Sequence, residues 1–332
     1  MRLDGTEPAA IDQAAALLAQ GELLAFPTET VYGLGARADD DAAVAKIFLA
    51  KGRPAAHPLI VHVADAASAL AFAACLPPVA QRLIDAFWPG PLTVIVPRAE
   101  GIGQAAAGGQ NSIGLRCPDH PLALRLLVAA RALGVAGVAG PSANRFGRIS
   151  PTRAAHVQAE FGDALAVLDG GACGVGIESS IVDCTRDVPM LLRPGTLTRA
   201  RIEAAAGQRL RDADALAPRA PGTLLAHYAP NAKLRLMATA LLTTALQVLG
   251  ESPAGLAVYS RSRLAGLAPA VRFRTCPPTR GPPHRNCSSC CANSTPRACS
   301  SSGSKSRRPA PNGTACATAC NVPARHECTG AR

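Results

Sequence analysis

The chain contains no apolar run long enough to cross a bilayer. The longest candidate, LRLMATALLTTALQVLG, is broken by polar residues and falls short of the roughly 20 residues a spanning helix needs. The opening MRLDGTEPAA carries Asp4 and Glu7 and has no apolar stretch behind its arginine, so it does not read as a secretory leader, and a cytoplasmic location is expected. Three catalytic signatures are also missing. There is no GxSxG nucleophile elbow, no GxxxxGK[ST] phosphate loop and no pair of neighbouring carboxylates at a strand end, which argues against a covalent serine mechanism, a P-loop NTPase and two-carboxylate acid/base work. GACGVG, residues 171–176, lacks the strand-turn-helix context of a dinucleotide fingerprint.

What is present is core material. A chain of 332 residues with 48% hydrophobic content exceeds what a single core usually organises, so two domains are expected. Up to about residue 205 the pattern alternates. Helical spacing in AAIDQAAALLAQG, DDAAVAKIFLAKG, DAASALAFAACL, PPVAQRLIDAFW, PLALRLLVAARALG and TRAAHVQAEFG is interleaved with strand-like ELLAFP, PLIVHV, LTVIVPR, SIGLR, VAGVAG, LAVLD, SSIVD and PMLLR. This predicts an α/β catalytic domain over residues 1–205, built on a twisted mixed sheet, because the last strands follow one another without helices. Residues 206–232 are rich in Pro, Ala and Gly and read as a linker. Residues 233–275 begin a smaller β-α-β unit.

Residues 276–332 differ from the body. They hold eight of the twelve cysteines, and eight Lys and Arg against the single Glu327, so seven of the eleven excess positive charges lie there. The net charge is therefore a weak argument for a nucleic-acid partner. Cys287, Cys290, Cys316 and Cys320 with His284 and His326 have spacings compatible with zinc. A disulfide framework fits less well beside an intracellular-looking body. A third reading is an out-of-frame translation. With GC-rich codons, regrouping the bases by one position turns this segment into an amphipathic helix, a turn, an apolar strand and a second helix, whereas the printed text has no apolar periodicity. A frameshift near Thr275 and a disordered, basic, thiol-rich tail are the expectation.

Polar clusters fall at strand ends, where ligands collect in open α/β sheets. They are Thr28, Glu29 and Thr30 in PTET; Lys51, Arg53, His57 and His62 in AKGRPAAHPLIVHV; Arg116 and Asp119 in GLRCPDHP; Ser142, Asn144 and Thr152 in GPSANRFGRISPT; Glu178, Ser179 and Ser180 in GIESS; and Arg193 in LLRPG. Each has an ordinary explanation. Lys51 and Arg53 suit a solvated helix C-terminus, Ser142 and Asn144 suit a turn, and Arg193 suits a strand end. Together they form a set rich in cations, hydroxyls and amides and poor in nucleophiles, which suits a polyphosphate whose transfer needs positioning and charge stabilisation.

In this order PTETVYGLG, KGRP with HPLIVHV, WPGPLT, GLRCPDHP, PSAN, GIESSIVD, LLRPG and HYAP resemble the YrdC-type L-threonylcarbamoyladenylate synthases, in the longer form with a linker and a Rossmann-like C-terminal domain. The resemblance covers about residues 10–275. It implies a mixed sheet around a cavity, of the kind also likened to double-stranded RNA-binding folds. It further implies that L-threonine, bicarbonate and ATP are joined into threonylcarbamoyl-AMP with release of pyrophosphate, for a downstream transferase that modifies the adenosine beside the anticodon of ANN-decoding tRNAs. Matching motif by motif, Thr30, His62, Asp119 and Ser179 fall near threonine, with Ser142 at that end. Lys51, Arg53, His57, Asn144, Thr152, Arg193 and Tyr228 fall on the nucleotide side, and Arg116 lies between the two. Lys51, Arg53, Ser142 and Asn144 would carry the catalysis. Magnesium is expected on the phosphates, without a protein carboxylate cluster to mark it. Tyr228 in HYAP would lie over the cavity mouth, making the linker a lid. Ser180 stands where the family usually has threonine. The resemblance accounts for PTET as a pocket floor, with Gly33 and Gly35 letting the chain turn tightly behind it. The rival readings are a binding-only module for double-stranded RNA or tRNA, whose affinity would fall steeply with salt, and the longer carbamoyl-transferring hydrogenase-maturation proteins, whose additional segments are not visible here. Weak tRNA binding is an expectation compatible with the enzyme.

Overall fold

The computed structural model describes residues 1–222, 233–249, 256–260, 262–264, 266, 267, 269, 271–275 and the backbone of 316–321. The chain divides into two compact units, Met1–His227 and Tyr228–Arg332. Among the described residues no helix is long and apolar enough to cross a membrane.

In the first unit the elements are β1 (Arg2–Asp4), α1 (Pro8–Ala19), β2 (Leu24–Phe26), β3 (Gly33–Arg37), α2 (Asp41–Lys51), β4 (Ile60–His62), α3 (Ala66–Ala69), α4 (Pro78–Phe87) and β5 (Leu92–Pro97). They continue as β6 (Ser112–Arg116), α5 (Pro121–Ala132), β7 (Val138–Ala139), α6 (Ala154–Phe161), β8 (Ala166–Asp169), β9 (Ser180–Asp183), β10 (Met190–Arg193), α7 (Arg199–Ala206) and β11 (Arg211–Asp212). The strands form one mixed sheet in the order β1-β8-β2-β3-β7-β4-β6-β5-β9-β10-β11. Parallel and antiparallel pairs coexist because β2 to β3, β5 to β6 and β9 to β10 connect without a crossover helix, as antiparallel neighbours allow.

Helix boundaries follow local chemistry. Pro8, Pro78 and Pro121 begin α1, α4 and α5, where the first helical position loses no hydrogen bond to proline. Asp40 caps α2 by accepting from the N–H groups of Ala42 and Ala43, satisfying two donors that the helix leaves open. Apolar spacing on α1 and α5 buries Ile11, Leu18, Leu126 and Leu127 together with Leu24 and Phe26 of β2. Each such side chain contributes about 2 kcal/mol by leaving water. A second core joins α2 and α4 to β3, β5 and β6 through Ile47, Leu83, Leu34, Val94 and Leu115.

Four details differ from the sequence reading. Gly33 and Gly35 do not make a tight turn; they lie inside β3, paired with Phe26 and Leu24 of β2. A Cβ at Gly35 would sit 2.9 Å from the Phe26 ring and 3.1 Å from the Leu24 carbonyl oxygen, so the absent side chain makes room for Phe26. DAASALAFAACL yields only the four residues of α3, ended by the turn that lets Ala73 bridge to Arg98. β1 has no counterpart in the sequence reading; it adds an edge strand beside β8. The stretch from residue 206, expected as linker, supplies β11 beside β10, and its Ala217 and Ala220 pack with Ile60, Ile95, Ile181 and Met190, because small side chains fit a face already occupied by isoleucines.

The second unit contains β12 (Lys233–Ala238), α8 (Thr239–Leu249), β13 (Leu256–Ser260), β14 (Arg272–Thr275) and β15 (Cys316–Asn321). Its sheet order is β12-β15-β13-β14, with Leu242, Leu256, Val258 and Val271 as its buried cluster. The β-α-β start expected from sequence is present. β15 departs from the expected disordered tail: this segment runs antiparallel between β12 and β13, where six residues satisfy backbone groups of two strand edges. The rest of 276–332 lies outside the described residues.

Candidate active site

Register brings five polar residues into a row across adjacent strands. His62 of β4 pairs with Arg116 of β6, and the β5–β6 ladder sets Thr93 beside Arg116. Thr93 pairs with Ile181 of β9, which in turn pairs with Arg193 of β10. Because alternate residues share a face, Ser179 points the same way as Ile181, and the next row on that face is Ile60, Gly114 and Ile95. The first row is thus mostly polar, with Ile181 in it, and the second mostly apolar, with Asp183 beside Ile95. A shallow cleft lies over this face, lined by Ile60, Thr93, Ile95, Ser112, Gly114 and Ile181 and closed on one side by Arg219 and Pro221.

Hydrogen bonds fasten the row. The Thr93 and Ser179 hydroxyls are 2.7 Å apart. Arg193 donates from Nε to the Ser179 carbonyl at 3.0 Å and from Nη2 to its hydroxyl at 3.2 Å, and its Nη1 donates to the Pro221 carbonyl at 3.0 Å. Arg193 thus ties the strand end to the segment that closes the cleft. Gln110 holds the same segment by a reciprocal pair, accepting from the Arg219 N–H at 2.8 Å and donating to the Arg219 carbonyl at 3.2 Å.

The PTET tip joins the row through Arg116, whose Nη1 donates to Thr30 Oγ1 at 2.9 Å and whose Nη2 lies 2.5 Å from Glu29 Oε1. Thr28 closes the tip locally: its hydroxyl donates to the Val31 carbonyl and accepts from the Thr30 N–H. The GACGVG segment, unassigned in sequence, docks on this tip, with the Val175 N–H on the Glu29 carbonyl at 2.7 Å and the Gly176 N–H on the Thr30 carbonyl at 2.9 Å.

A second group gathers at the end of α2. Gly52 adopts a left-handed conformation (φ 61°, ψ 37°) and caps the helix, as glycine does readily, and this turns Arg53 inward. Lys51 is not a solvated helix end; it is 3% exposed, and its ammonium donates to the carbonyls of Ser142 and Asn144. Burial, with the Arg53 charge beside it, pulls the Lys51 pKa down to about 7, against the pull of the Glu160 and Glu178 charges. Phe146 returns the contact, its N–H on the Lys51 carbonyl at 2.8 Å. Its ring stacks near Arg53, 5.8 Å away, and near His57, 5.6 Å away. Asn144 donates to the carbonyls of Arg145 and Arg148 at 2.8 Å each, and Ser142 bridges to Gly33.

Most of the expected site residues are thus found in two groups: His62, Arg116, Ser179 and Arg193 on the sheet face with Thr30 at the tip bonded to Arg116, and Lys51, Arg53, His57, Ser142 and Asn144 around the loop that Lys51 clamps. Thr152 is buried, and its carbonyl accepts from the Cys173 N–H. Asp119 is exposed at the turn before α5, unlike its four expected companions near threonine. Tyr228 lies outside the described residues. Burial and the Arg116 charge push His62 down to about 3, so it is neutral at physiological pH. Burial raises the Cys117 and Cys173 thiols to about 11 and about 12, which keeps them protonated and poorly nucleophilic. Sequence reasoning missed Thr93, Gln110 and Arg219. Alternation in LTVIVPR would have placed Thr93 with Ile95, whereas nothing local announces the Gln110–Arg219 pair.

Two family patterns match. Residues 16–195 match the Sua5/YciO/YrdC pattern, described as telomere recombination, and residues 197–278 match the C-terminal domain pattern of threonylcarbamoyl-AMP synthase. The chain belongs to the Sua5/YciO/YrdC family. Proteins named threonylcarbamoyl-AMP synthase from Bacillus subtilis and Pyrococcus abyssi are 45% and 43% identical over 231 and 227 residues. These stretches cover 68% and 67% of this chain but only 65% and 66% of the relatives, so the match spans just under two thirds of their length. The crystal structure of P. abyssi Sua5 complexed with L-threonine superposes with a TM-score of 0.74 at 34% identity, covering 86% of each chain. Escherichia coli YciO, 21% identical with a TM-score of 0.51, shares the fold.

Proposed function

We propose that this Sua5/YciO/YrdC chain is a cytoplasmic L-threonylcarbamoyladenylate synthase, a nucleotidyltransferase that makes threonylcarbamoyl-AMP and pyrophosphate from L-threonine, bicarbonate and ATP. The observation that carries the reading is the convergence of His62, Arg116, Thr93, Ser179 and Arg193 on one face of the sheet, with Thr93 also lining the neighbouring cleft. A small zwitterion suits the Arg116 and Thr30 end, where a guanidinium, a hydroxyl and a carboxylate meet. A nucleotide base suits the apolar row, and its phosphates suit Arg53 and the Ser142–Asn144 loop.

In this mechanism the threonine amine combines with bicarbonate to give a carbamate and water. A carbamate oxygen then forms a bond to the α-phosphorus of ATP as the bond to pyrophosphate breaks. No enzyme nucleophile is required, in keeping with the protonated, buried thiols. The residues position and neutralise: Arg116 faces the amino acid, Arg53 faces the phosphates, and neutral His62 lines the pocket without adding charge. Pre-positioned charge of this kind supplies most of the acceleration in phosphoryl and nucleotidyl transfer. Magnesium enters with ATP as part of the substrate. Phosphate oxygens and water would supply its ligands. The product would pass to a downstream tRNA threonylcarbamoyl transferase, and any direct tRNA binding would be weak.

Incubation with labelled threonine, bicarbonate and ATP tests the assignment. Pyrophosphate release that depends on threonine, and is lost in Arg53→Ala and Ser142→Ala, is expected. Equal release without threonine, or unimpaired variants, would overturn it. RNA-dependent binding that collapses with salt, without ATP turnover, would favour the binding-module reading instead.

A further inference from the structure

Glu29 is 8% exposed and belongs to the tip that carries Thr30. Its only charge partner among the described residues is Arg116, through Oε1 at 2.5 Å, yet neither carboxylate oxygen receives a well-formed hydrogen bond there. A carboxylate accepts about four hydrogen bonds, and one left short of donors in a buried site is costly. The groups around it do not supply them. Arg116 directs its remaining donors to Thr30 Oγ1 and the Gly90 carbonyl. The thiols of Cys117 and Cys173, close enough to feel the Glu29 charge, are weak donors. The His120 imidazole feels it too, and its buried Nδ1 has no partner among the described residues. The tip cannot easily swing away, because the Val175 and Gly176 N–H groups hold the carbonyls of Glu29 and Thr30.

We propose that Glu29 is the recognition group for the substrate's ammonium, forming with Arg116 a two-point receptor for an α-amino acid zwitterion. The guanidinium takes the α-carboxylate, and the adjacent carboxylate takes the three N–H donors of the ammonium. This rests on the threonine reading of the site and assigns a residue to the half of the ligand that the cationic inventory leaves unpaired. It also explains how a pocket dominated by cations admits a substrate carrying a positive charge: the buried carboxylate screens Arg116 and selects against ligands that are anionic without an amine.

The test is calorimetric binding to the full chain of two ligands, L-threonine and 2,3-dihydroxybutanoate, in which a hydroxyl replaces the amine. Wild type is expected to prefer threonine by at least about tenfold, the scale of one charge-assisted hydrogen-bonded contact. In Glu29→Gln, threonine should weaken by about tenfold or more while dihydroxybutanoate stays within about twofold. A Glu29 that merely supports the fold would weaken both alike, and that result overturns the inference, as does a wild type that binds the two ligands equally. If Glu29→Gln fails to fold, as judged by circular dichroism, the wild-type comparison decides. Threonine-dependent pyrophosphate release without discrimination between the ligands sinks this inference alone; absence of threonine binding to wild type sinks the proposed function and this inference with it.

Discussion

At the scale of the residue, the site departs from what its side chains suggest in isolation. Lys51 sits where a lysine usually points into solvent to meet the helix dipole, yet its ammonium holds two backbone carbonyls. Lys51→Met would leave both acceptors short of a donor, at about 1–3 kcal/mol each. We expect a lower melting temperature together with at least about a hundredfold loss of pyrophosphate release, since loop misplacement is expensive for in-line chemistry. If Lys51 instead acted only on phosphate, the KM for ATP would rise with the melting temperature unchanged. His62 makes a pH prediction. Its folded pKa of about 3 lies below the unfolded value near 6.5. Below pH 6.5 the unfolded chain takes up a proton that the folded chain refuses until about pH 3. Stability is therefore lost progressively as pH falls across that window, by about 5 kcal/mol in all. Urea melts at pH 7.5, 5.5 and 4.5 should show this slope in wild type and a flatter one in His62→Gln.

At the scale of the element, legibility depends on whether the cause is local. The Gly52 cap, the proline-led helices and the period-2 strands β5 and β6 are readable, because caps, φ restrictions and alternation act within a few residues. The two residues of β7 are only partly so, since a pair that short is defined by its neighbours β3 and β4. Residues 171–176 look like a failed nucleotide loop, and their docking on Glu29 and Thr30 depends on backbone bonds between chain segments far apart in sequence. Gly33 and Gly35 stand out in the sequence, but the reason lies in the fold. The text shows that a side chain is absent but not whether the chain turns there or a ring passes there. This distinction is testable. Gly35→Ala places a Cβ against the Phe26 ring, Val138 and the Leu24 carbonyl and should cost about 2–3 kcal/mol, in the range of overpacked cores. Gly52→Ala meets nothing within 4 Å but keeps φ at 61°, and should cost about 1 kcal/mol. Thermal melts of the two variants that rank in the opposite order would show that β3 tolerates the bulk and that the cap is the more demanding position.

At the scale of the whole molecule, the contrast is between a first unit with three buried clusters and a second whose described cluster is four residues. Small cores are marginal because burial must offset about 1–2 kcal/mol of backbone entropy per ordered residue. On the α8 side of the second unit, Leu241, Val248 and Leu249 remain exposed, although an amphipathic helix normally covers such side chains. The out-of-frame reading of 276–332 offers a cause: the regrouped sequence would supply an amphipathic helix, a strand and a second helix, whereas the described part of the tail supplies only β15. The match to the C-terminal family pattern runs over 197–278, ending close to the proposed break. Resequencing the gene through the Thr275 codon is expected to reveal a one-base insertion or deletion. A chain with the frame restored should gain a cooperative second unfolding transition, or raise an existing one, while the transition of the first unit stays within a degree or two, because its buried clusters draw on residues no later than Ala220. An intact reading frame, with the printed tail ordered around zinc and melting on chelation, would instead make the cysteines after Cys276 ligands and end the frameshift reading.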